Sequence, residues 1–137
     1  SLPLNFVFEV PSAEPARVWS GYIRDRGAPS GRQTRFSVER DSKTGRILSD
    51  HALFSVIPGL APNLRIMILA GLTTSGTQGA AEFATSQEGL ARLLLRLQPV
   101  GSDYASSPFF ESVLRIGTSR GLDALSIQPV LVRSIHP

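Results

Sequence analysis

The chain has 137 residues, of which 42% are hydrophobic and 18% charged, a balance that fits one compact domain over residues 1–137. It contains no cysteine, which excludes disulfides, thiol nucleophiles, iron–sulfur clusters and cysteine-ligated zinc. The formal net charge of +3 comes mainly from arginines that never form a run of three. This spread does not favour nucleic acid as a partner of this segment.

The apolar runs are far shorter than the ~18 residues of a membrane-spanning helix, so we expect no membrane insertion by this segment. The first residues, "SLPLNFVFEV", lack the basic start and long apolar middle of a signal peptide. We therefore expect a cytoplasmic segment. Because the sequence begins with Ser1, we also expect that it was excised from a longer protein.

The first half of the chain predicts β-structure. Residues 4–10 alternate side chains with the period of a strand, and Pro11 ends that strand. Residues 24–35 combine glycine, proline and charges and predict an exposed loop. Two further strand-like segments, Phe36–Glu39 and Ala52–Ile57, flank the turn-forming "DSKTG" and predict a meander.

The second half predicts a buried strand, two helices and a hairpin. Residues 64–71, "LRIMILAG", are apolar enough to predict a central strand buried on both faces. Apolar residues then recur at helical spacing in residues 80–84 and 90–97, and "TSQE", residues 85–88, fits a capping box between the helices. The segments "FFESVLRIGTS" and "ALSIQPVLVRSI" predict a final hairpin, in which Pro129 marks an edge or bulged strand.

This order of elements favours antiparallel pairing, with one parallel crossover allowed where the buried strand leads into a helix. We therefore predict an α+β fold. Its mixed, mostly antiparallel sheet has two consecutive helices packed on one face and a Rossmann-like strand–loop–helix in the middle.

The loop before the first helix is the main candidate site. Gly71 and Gly76 have the spacing of P-loop glycines, but Thr77 replaces the lysine and Gln78 the metal-binding hydroxyl residue. A dinucleotide fingerprint also fails, because Thr74 stands where a glycine is needed. A helix start nevertheless attracts anions.

We therefore predict a site for a small anionic or polar metabolite. Its residues are Thr73, Thr74, Ser75, Gly76, Thr77 and Gln78. The alternative is structural: a hydroxyl caps the helix, and the small residues 79–81 let helix and sheet approach closely.

Catalytic and metal signatures fail. Ser75 lacks the flanking glycines of a nucleophile elbow, and His51 cannot share a face with its neighbour Asp50 on a strand. One histidine among scattered carboxylates is not a ligand set, so we predict no catalytic residue, metal or cofactor. An enzyme alternative, a hydrolase or nucleotide-binding protein using the Thr73–Gln78 loop, needs an ionisable group nearby. The candidates are Asp50, Glu82, Glu111 and Arg115.

An aromatic and arginine cluster is the other candidate surface. Trp and Tyr beside Arg are typical of protein-binding patches, whereas core aromatics with an arginine rim are the structural alternative. The cluster contains Phe6, Phe8, Arg17, Trp19, Tyr22, Arg24 and Arg26.

Several segments together resemble the C-terminal region of a little-characterised bacterial family of hypothetical or regulatory proteins. They are "YIRDRGAPSGRQ", "DHALFSVIPG", "RIMILAGLTTSGTQGAAEFATSQEGLARLL", "FFESVLRI" and "QPVLVRS". The family motif reads AGxTxxGTxAAxEFxT; Gly76 and Thr77 match its core, Gly79 stands where the motif has alanine, and Asp50 and Ala52 match an earlier block. The resemblance implies a longer protein with an upstream α/β segment, and sometimes a winged-helix DNA-binding or transmembrane part.

The resemblance implies no activity, and it implies contacts with other segments of the full-length protein. The leading hypothesis is a non-catalytic ligand-sensing or protein-interaction domain of a bacterial regulatory protein, such as a transcription regulator. The alternatives are the enzyme described above and a structural dimerisation domain that forms a homodimer.

Overall fold

The computed structural model of the chain describes residues 4–9, 21–30, 34–97, 109–118 and 125–135. The small sheet contains β1 (Phe6–Glu9), β2 (Tyr22–Asp25) and β3 (Arg35–Ser37). The large sheet contains β4 (Glu39–Arg40), β5 (Ile47–Pro58), β6 (Arg65–Gly71), β7 (Phe110–Thr118) and β8 (Leu125–Ser134). Helices α1 (Thr74–Ala84) and α2 (Gln87–Leu97) connect the two halves of the large sheet.

The small sheet has the order β1-β2-β3, and β5 is at the centre of the large one. β4 and β6 pair with β5, while β7 pairs with β5 and β8. All of these described pairs are antiparallel. The α+β prediction is confirmed, but the allowed parallel crossover is absent from the described residues. β6 leads into α1, yet it pairs with β5 as one arm of a hairpin.

Side-chain alternation along β5 determines which layer covers each face of the large sheet. Ala52 and Phe54 point towards the helices, and Leu53 points towards the small sheet. The helix-side core is built from Ala52, Phe54, Ala80, Phe83, Leu93, Leu97, Phe110, Leu114 and Ile116. The core beneath the small sheet contains Phe6, Ile23, Phe36, Leu53, Leu72 and Val113. The large sheet is therefore the middle layer, with helices on one face as predicted.

The prediction that residues 64–71 form a central strand buried on both faces is wrong. β6 pairs with β5 alone among the described strands and is therefore an edge strand. Ile66 is 37% exposed and Met67 57%. The apolar sequence of β6 looks like that of a central strand, because apolar composition does not show how many strands lie alongside.

The predicted break between the helices is present, but the predicted capping box is wrong. Thr85 belongs to the end of α1, where its hydroxyl donates to Ala81 O at 2.9 Å. The cap of α2 is Ser86, whose hydroxyl accepts the Gly89 N–H at 3.1 Å. The hydroxyl of Thr85 is thus already engaged by the preceding helix, which moves the capping role one residue along.

The final hairpin is confirmed as β7 and β8, and residues 120–123 between the two predicted segments lie outside the described ranges. Pro129 is both on an edge strand and beside an irregularity, because the register shifts between Val113 and Leu114. A proline fits there since it has no N–H to donate to a ladder.

Candidate functional site

The start of α1 holds a buried carboxylate from the protein itself. Asp50 on β5 is fully buried, and its Oδ2 accepts hydrogen bonds from the Thr73 N–H at 3.0 Å and the Thr73 hydroxyl at 2.6 Å. Its Oδ1 accepts the His51 N–H at 2.7 Å. Such charge-assisted bonds compensate for the loss of water around a carboxylate. An anion therefore does lie at the helix start, and it is the side chain of Asp50.

Two glycines make room for this carboxylate and for the tight turn beside it. A Cβ on Gly76 would collide with Asp50 Oδ2, and a Cβ on Gly71 would collide with the backbone of Thr77 and Gly76. Both glycines have ordinary negative φ angles, so space and not backbone conformation requires them. The spacing that imitates a P-loop thus serves close packing between strand and helix.

Thr73 and Thr77 are used in holding this turn. Thr73 is the N-cap of α1, but its hydroxyl makes no cap bond, because it donates to Asp50. The Thr77 hydroxyl accepts the Gly71 N–H at 2.9 Å and lies 3.4 Å from Thr73 O. The two threonines therefore connect β5, β6 and the first turn of α1.

The predicted ligand residues Thr74, Ser75 and Gln78 make no side-chain hydrogen bond with other described residues that holds the turn. Thr74 and Gln78 are exposed, and Gln78 Nε2 lies 3.4 Å from Glu82 Oε1. Among the described residues, no hydrogen bond reaches the hydroxyl of Thr74 or Ser75. A metabolite at this loop stays a prediction, and its acidic group would have to bind beside the Asp50 carboxylate.

Helix and sheet also approach closely further along α1, where a Cβ on Gly79 would lie 2.6 Å from Ile116 Cγ1. Gly79 and Ala80 are both buried. These contacts agree with the structural alternative for the small residues 79–81.

Of the four ionisable groups proposed for an enzyme, Asp50 contacts Thr73 and Glu82 contacts Gln78 in the loop, while the other two lie away from it. Glu111 and Arg115 lie on β7, two residues before and after Val113, so the three side chains share one face of the strand. Val113 packs in the core beneath the small sheet, so this is the small-sheet face. Arg115 pairs there with Glu39 at 3.5 Å. Asp50 is on the correct face, but its bonds go to Thr73 and His51 rather than to the Ser75 or Thr77 hydroxyl.

His51 lies on the face opposite to Asp50, as the alternation of a strand requires. Its Nδ1–H donates to Ser37 O at 2.8 Å, and its ring is 5.4 Å from that of Phe36. Burial is the main cause that lowers the pKa of His51 below its usual value of 6.5, against opposing contributions from the Ser37 bond and Asp50. The neutral ring therefore belongs to the packing between the sheets.

The small-sheet face holds a buried ionic cluster that the sequence did not predict. Arg133 on β8 contacts Asp25 on β2 at 2.6 Å and Glu111 on β7 at 3.1 Å. Asn5 adds bonds to Glu111 from its backbone N–H at 2.9 Å and its amide at 3.0 Å. The guanidinium also lies 4.7 Å from the centre of the Phe6 ring. We call these five residues the Arg133 cluster; it fastens the small sheet to the large one.

The signal for this cluster was a charged residue inside an apolar strand. Glu111 lies two residues before Val113 and points to the same face of β7. Its side chain is 1% exposed, and a buried carboxylate needs a partner. Asp25 and Arg133 are 108 residues apart in sequence, so no local pattern could pair them.

The predicted aromatic and arginine cluster divides between core and surface. Phe6 is buried, whereas Phe8 is 42% exposed. Tyr22 and Arg24 both bind Glu9, at 3.0 and 2.7 Å, and this pairing lowers the pKa of Glu9. Arg26 donates to Leu4 O at 2.9 Å. Arg17 and Trp19 lie outside the described residues.

Exposed apolar side chains lie close together on β6 and on the turn that precedes it. Leu60 is fully exposed, Leu64 and Met67 are each 57% exposed, and Ile66 is 37% exposed. An open depression of about 450 Å³ lies next to them, between the β5–β6 turn and Phe109. Large apolar residues grouped on one hairpin are typical of interaction surfaces.

Hydrogen bonds show which backbone groups of β6 point away from β5. Leu72 donates to His51 O at 3.1 Å and Leu64 O accepts from Gly59 at 2.8 Å, so even-numbered positions face β5. The odd-numbered positions Met67 and Leu69 therefore direct N–H and C=O outwards. In the described part of the chain, no hydrogen bond reaches these outward groups.

The β8 edge differs, because α2 covers part of it. Arg92 donates to Ile127 O at 3.2 Å, and Arg96 donates to Pro129 O. Pro129 itself has no N–H. Two arginines and a proline thus obstruct this edge, which is how native proteins prevent unwanted strand pairing.

Within the described residues there is no group of three or more His, Asp or Glu side chains suited to a metal ion. None of the described helices has both the length and the apolar character needed to cross a membrane. Comparisons with protein-family models, with curated proteins and with solved structures gave no match. The resemblance to a bacterial regulatory family therefore stays a prediction.

Proposed function

We propose that this chain is a non-catalytic protein-interaction domain whose contact surface is the β6 edge, defined as residues 64–69. The observation that carries the proposal is the exposed apolar side chains on an edge strand with outward backbone groups. Strand addition at such an edge combines main-chain hydrogen bonds with apolar contacts at alternate side chains.

Membership in a bacterial regulatory protein and a role in transcription are parts of this proposal that come from the sequence resemblance. A cytoplasmic location is also part of the proposal. Ligand sensing at residues 73–78 receives less support, because Asp50 already supplies the anion at the helix start. The outward N–H and C=O groups of Met67 and Leu69 have no such partner among the described residues.

Site-specific photo-crosslinking in cells that produce the full-length protein tests the interaction directly. A photoreactive residue at Met67 should give a protein adduct of defined mass. Leu95 on α2 is the matched control, because it is 67% exposed and apolar but lies away from the β6 edge. If adducts form equally at both positions, or at neither, the β6 edge is not the contact surface.

A further inference from the structure

The outward backbone groups of β6 are placed so that two copies of the strand can pair with each other. Met67 has outward backbone groups and lies at the middle of the stretch 65–69. If a second β6 pairs antiparallel with its two-fold axis at Met67, position 65 lies opposite 69 and position 66 lies opposite 68. The outward groups of Met67 then meet those of the second Met67, as the ladder of an antiparallel pair requires.

The side chains are compatible with the same register. On the face shared with Ile66, each Ile66 would lie opposite an Ile68, and Leu64 would lie opposite Ala70. On the other face Met67 would meet Met67. Arg65 is the only charged residue in the strand, and this register places it opposite Leu69, so like charges do not face each other.

We propose that the partner of the β6 edge is a second copy of this chain, joined by antiparallel β6–β6 pairing centred on Met67. This inference rests on the proposed function and narrows it to one occupant. A two-fold pair of this kind uses the same patch on both copies, the common arrangement in homodimers. The β8 edge is not an equivalent site, because Arg92, Arg96 and Pro129 obstruct it.

The size of the edge sets the expected strength. A seven-residue strand is about 23 Å long, and with a sheet thickness of ~10 Å it offers roughly 200–300 Å² of cross-section per chain. Stable specific interfaces bury about 800 Å² per partner. The pair is therefore a weak one, with a dissociation constant on the order of 100 µM.

Sedimentation equilibrium of the purified chain from about 10 µM to about 1 mM measures this association. We expect a monomer–dimer equilibrium. Met67→Lys should raise the dissociation constant about tenfold or more, because two ammonium groups meet at the axis. Leu95→Lys, a matched exposed change on α2, should leave it unaltered. A chain that stays monomeric at 1 mM, or a dimer equally sensitive to both changes, overturns the inference.

The register is tested by single cysteines, which are unique in this cysteine-free chain. Met67→Cys places two thiols on the axis, where Cα atoms of a hydrogen-bonded pair are ~5.5 Å apart, within the ~4.4–6.8 Å of disulfides. Oxidised glutathione should therefore link most Met67→Cys chains into dimers. Ile66→Cys should link poorly, because same-residue Cα atoms are then ~7–8 Å apart on a diagonal. Equal linking at both positions overturns the two-fold register.

The two experiments separate this inference from the proposed function. If the purified chain is monomeric but photo-crosslinking at Met67 captures another protein, the interaction surface stands and the second copy does not. If Met67 gives no adduct in cells and no dimer in solution, both fail.

Discussion

The two faces of the large sheet each bury carboxylates, and they neutralise them by different means. On the helix face, N–H groups and a hydroxyl surround Asp50. On the other face, the guanidinium of Arg133 pairs with Asp25 and Glu111. Neutral donors surround Asp50, so the loss of one of them removes a single hydrogen bond, whereas the loss of Arg133 leaves two buried carboxylates without their cation. We therefore expect that breaking the Arg133 cluster lowers the free energy of unfolding more than changing Asp50 does.

Arg133→Met should have the largest effect. It keeps an apolar stem but leaves the Asp25 and Glu111 carboxylates buried without their cation, which costs about 3–5 kcal/mol. Urea unfolding measures the loss. Arg115→Met is the matched control, because the Arg115–Glu39 pair is exposed and such pairs contribute about 0–1 kcal/mol. Equal losses in the two variants would show that the cluster does not hold the sheets together.

Asp50→Asn should cost less, about 2–3 kcal/mol. The amide keeps the size of the side chain but removes the charge, and its NH₂ group then faces hydrogen-bond donors on Thr73 or His51. Unfolding by urea should show the loss, and amide exchange should show weaker protection in the first turn of α1. A loss as large as that of Arg133→Met would contradict the ranking of the two faces.

Gly76→Ala should cost about 1–3 kcal/mol, because the added methyl group collides with the Asp50 carboxylate. Combining it with Asp50→Ala removes the obstacle, so the double variant should be more stable than the sum of the two single losses predicts. Gly117→Ala is the control, since its Cβ would meet Ser126 at an ordinary 3.5 Å. Additive losses would mean that Gly76 does not make room for Asp50.

His51 should give the smallest effect, on the small-sheet face. Since the pKa of His51 is lowered in the folded state, the unfolded chain takes up a proton near pH 6.5 and the folded chain only at lower pH. The free energy of unfolding should therefore fall as pH decreases through about 6.5. Subtracting the profile of His51→Gln isolates this contribution. A difference that grows in the opposite direction would mean that the folded state stabilises the charged ring.

Sequence patterns predicted the elements whose signals are local. Helical spacing located α1 and α2, and apolar segments bounded by turn signals located β7, β8 and the second half of β5. The patterns failed where the deciding partner is distant. Asp50 reaches Thr73 across 23 residues, so the glycine spacing of the loop resembled an anion cradle with no sign of the internal carboxylate. The Arg133 cluster was missed for the same reason, over a longer separation.

The prediction that β6 is a central strand was wrong for a different reason. Its apolar residues predicted burial, and burial depends on how many strands lie alongside, which composition does not specify. The capping residue of α2 was predicted wrongly for a similar reason. Threonine and serine are both suited to a helix cap, and only the geometry of the preceding helix decides between Thr85 and Ser86.

The obstructed β8 edge has a consequence for assembly size. A strand that joins at β6 extends the sheet in one direction, while the far side still ends in β8 with its arginines and proline. Two chains joined at β6 would present β8 at both outer ends. Of the described strands, both outer ends would then carry these obstructions over residues 127–129, which disfavours the repeated strand addition by which fibrils grow.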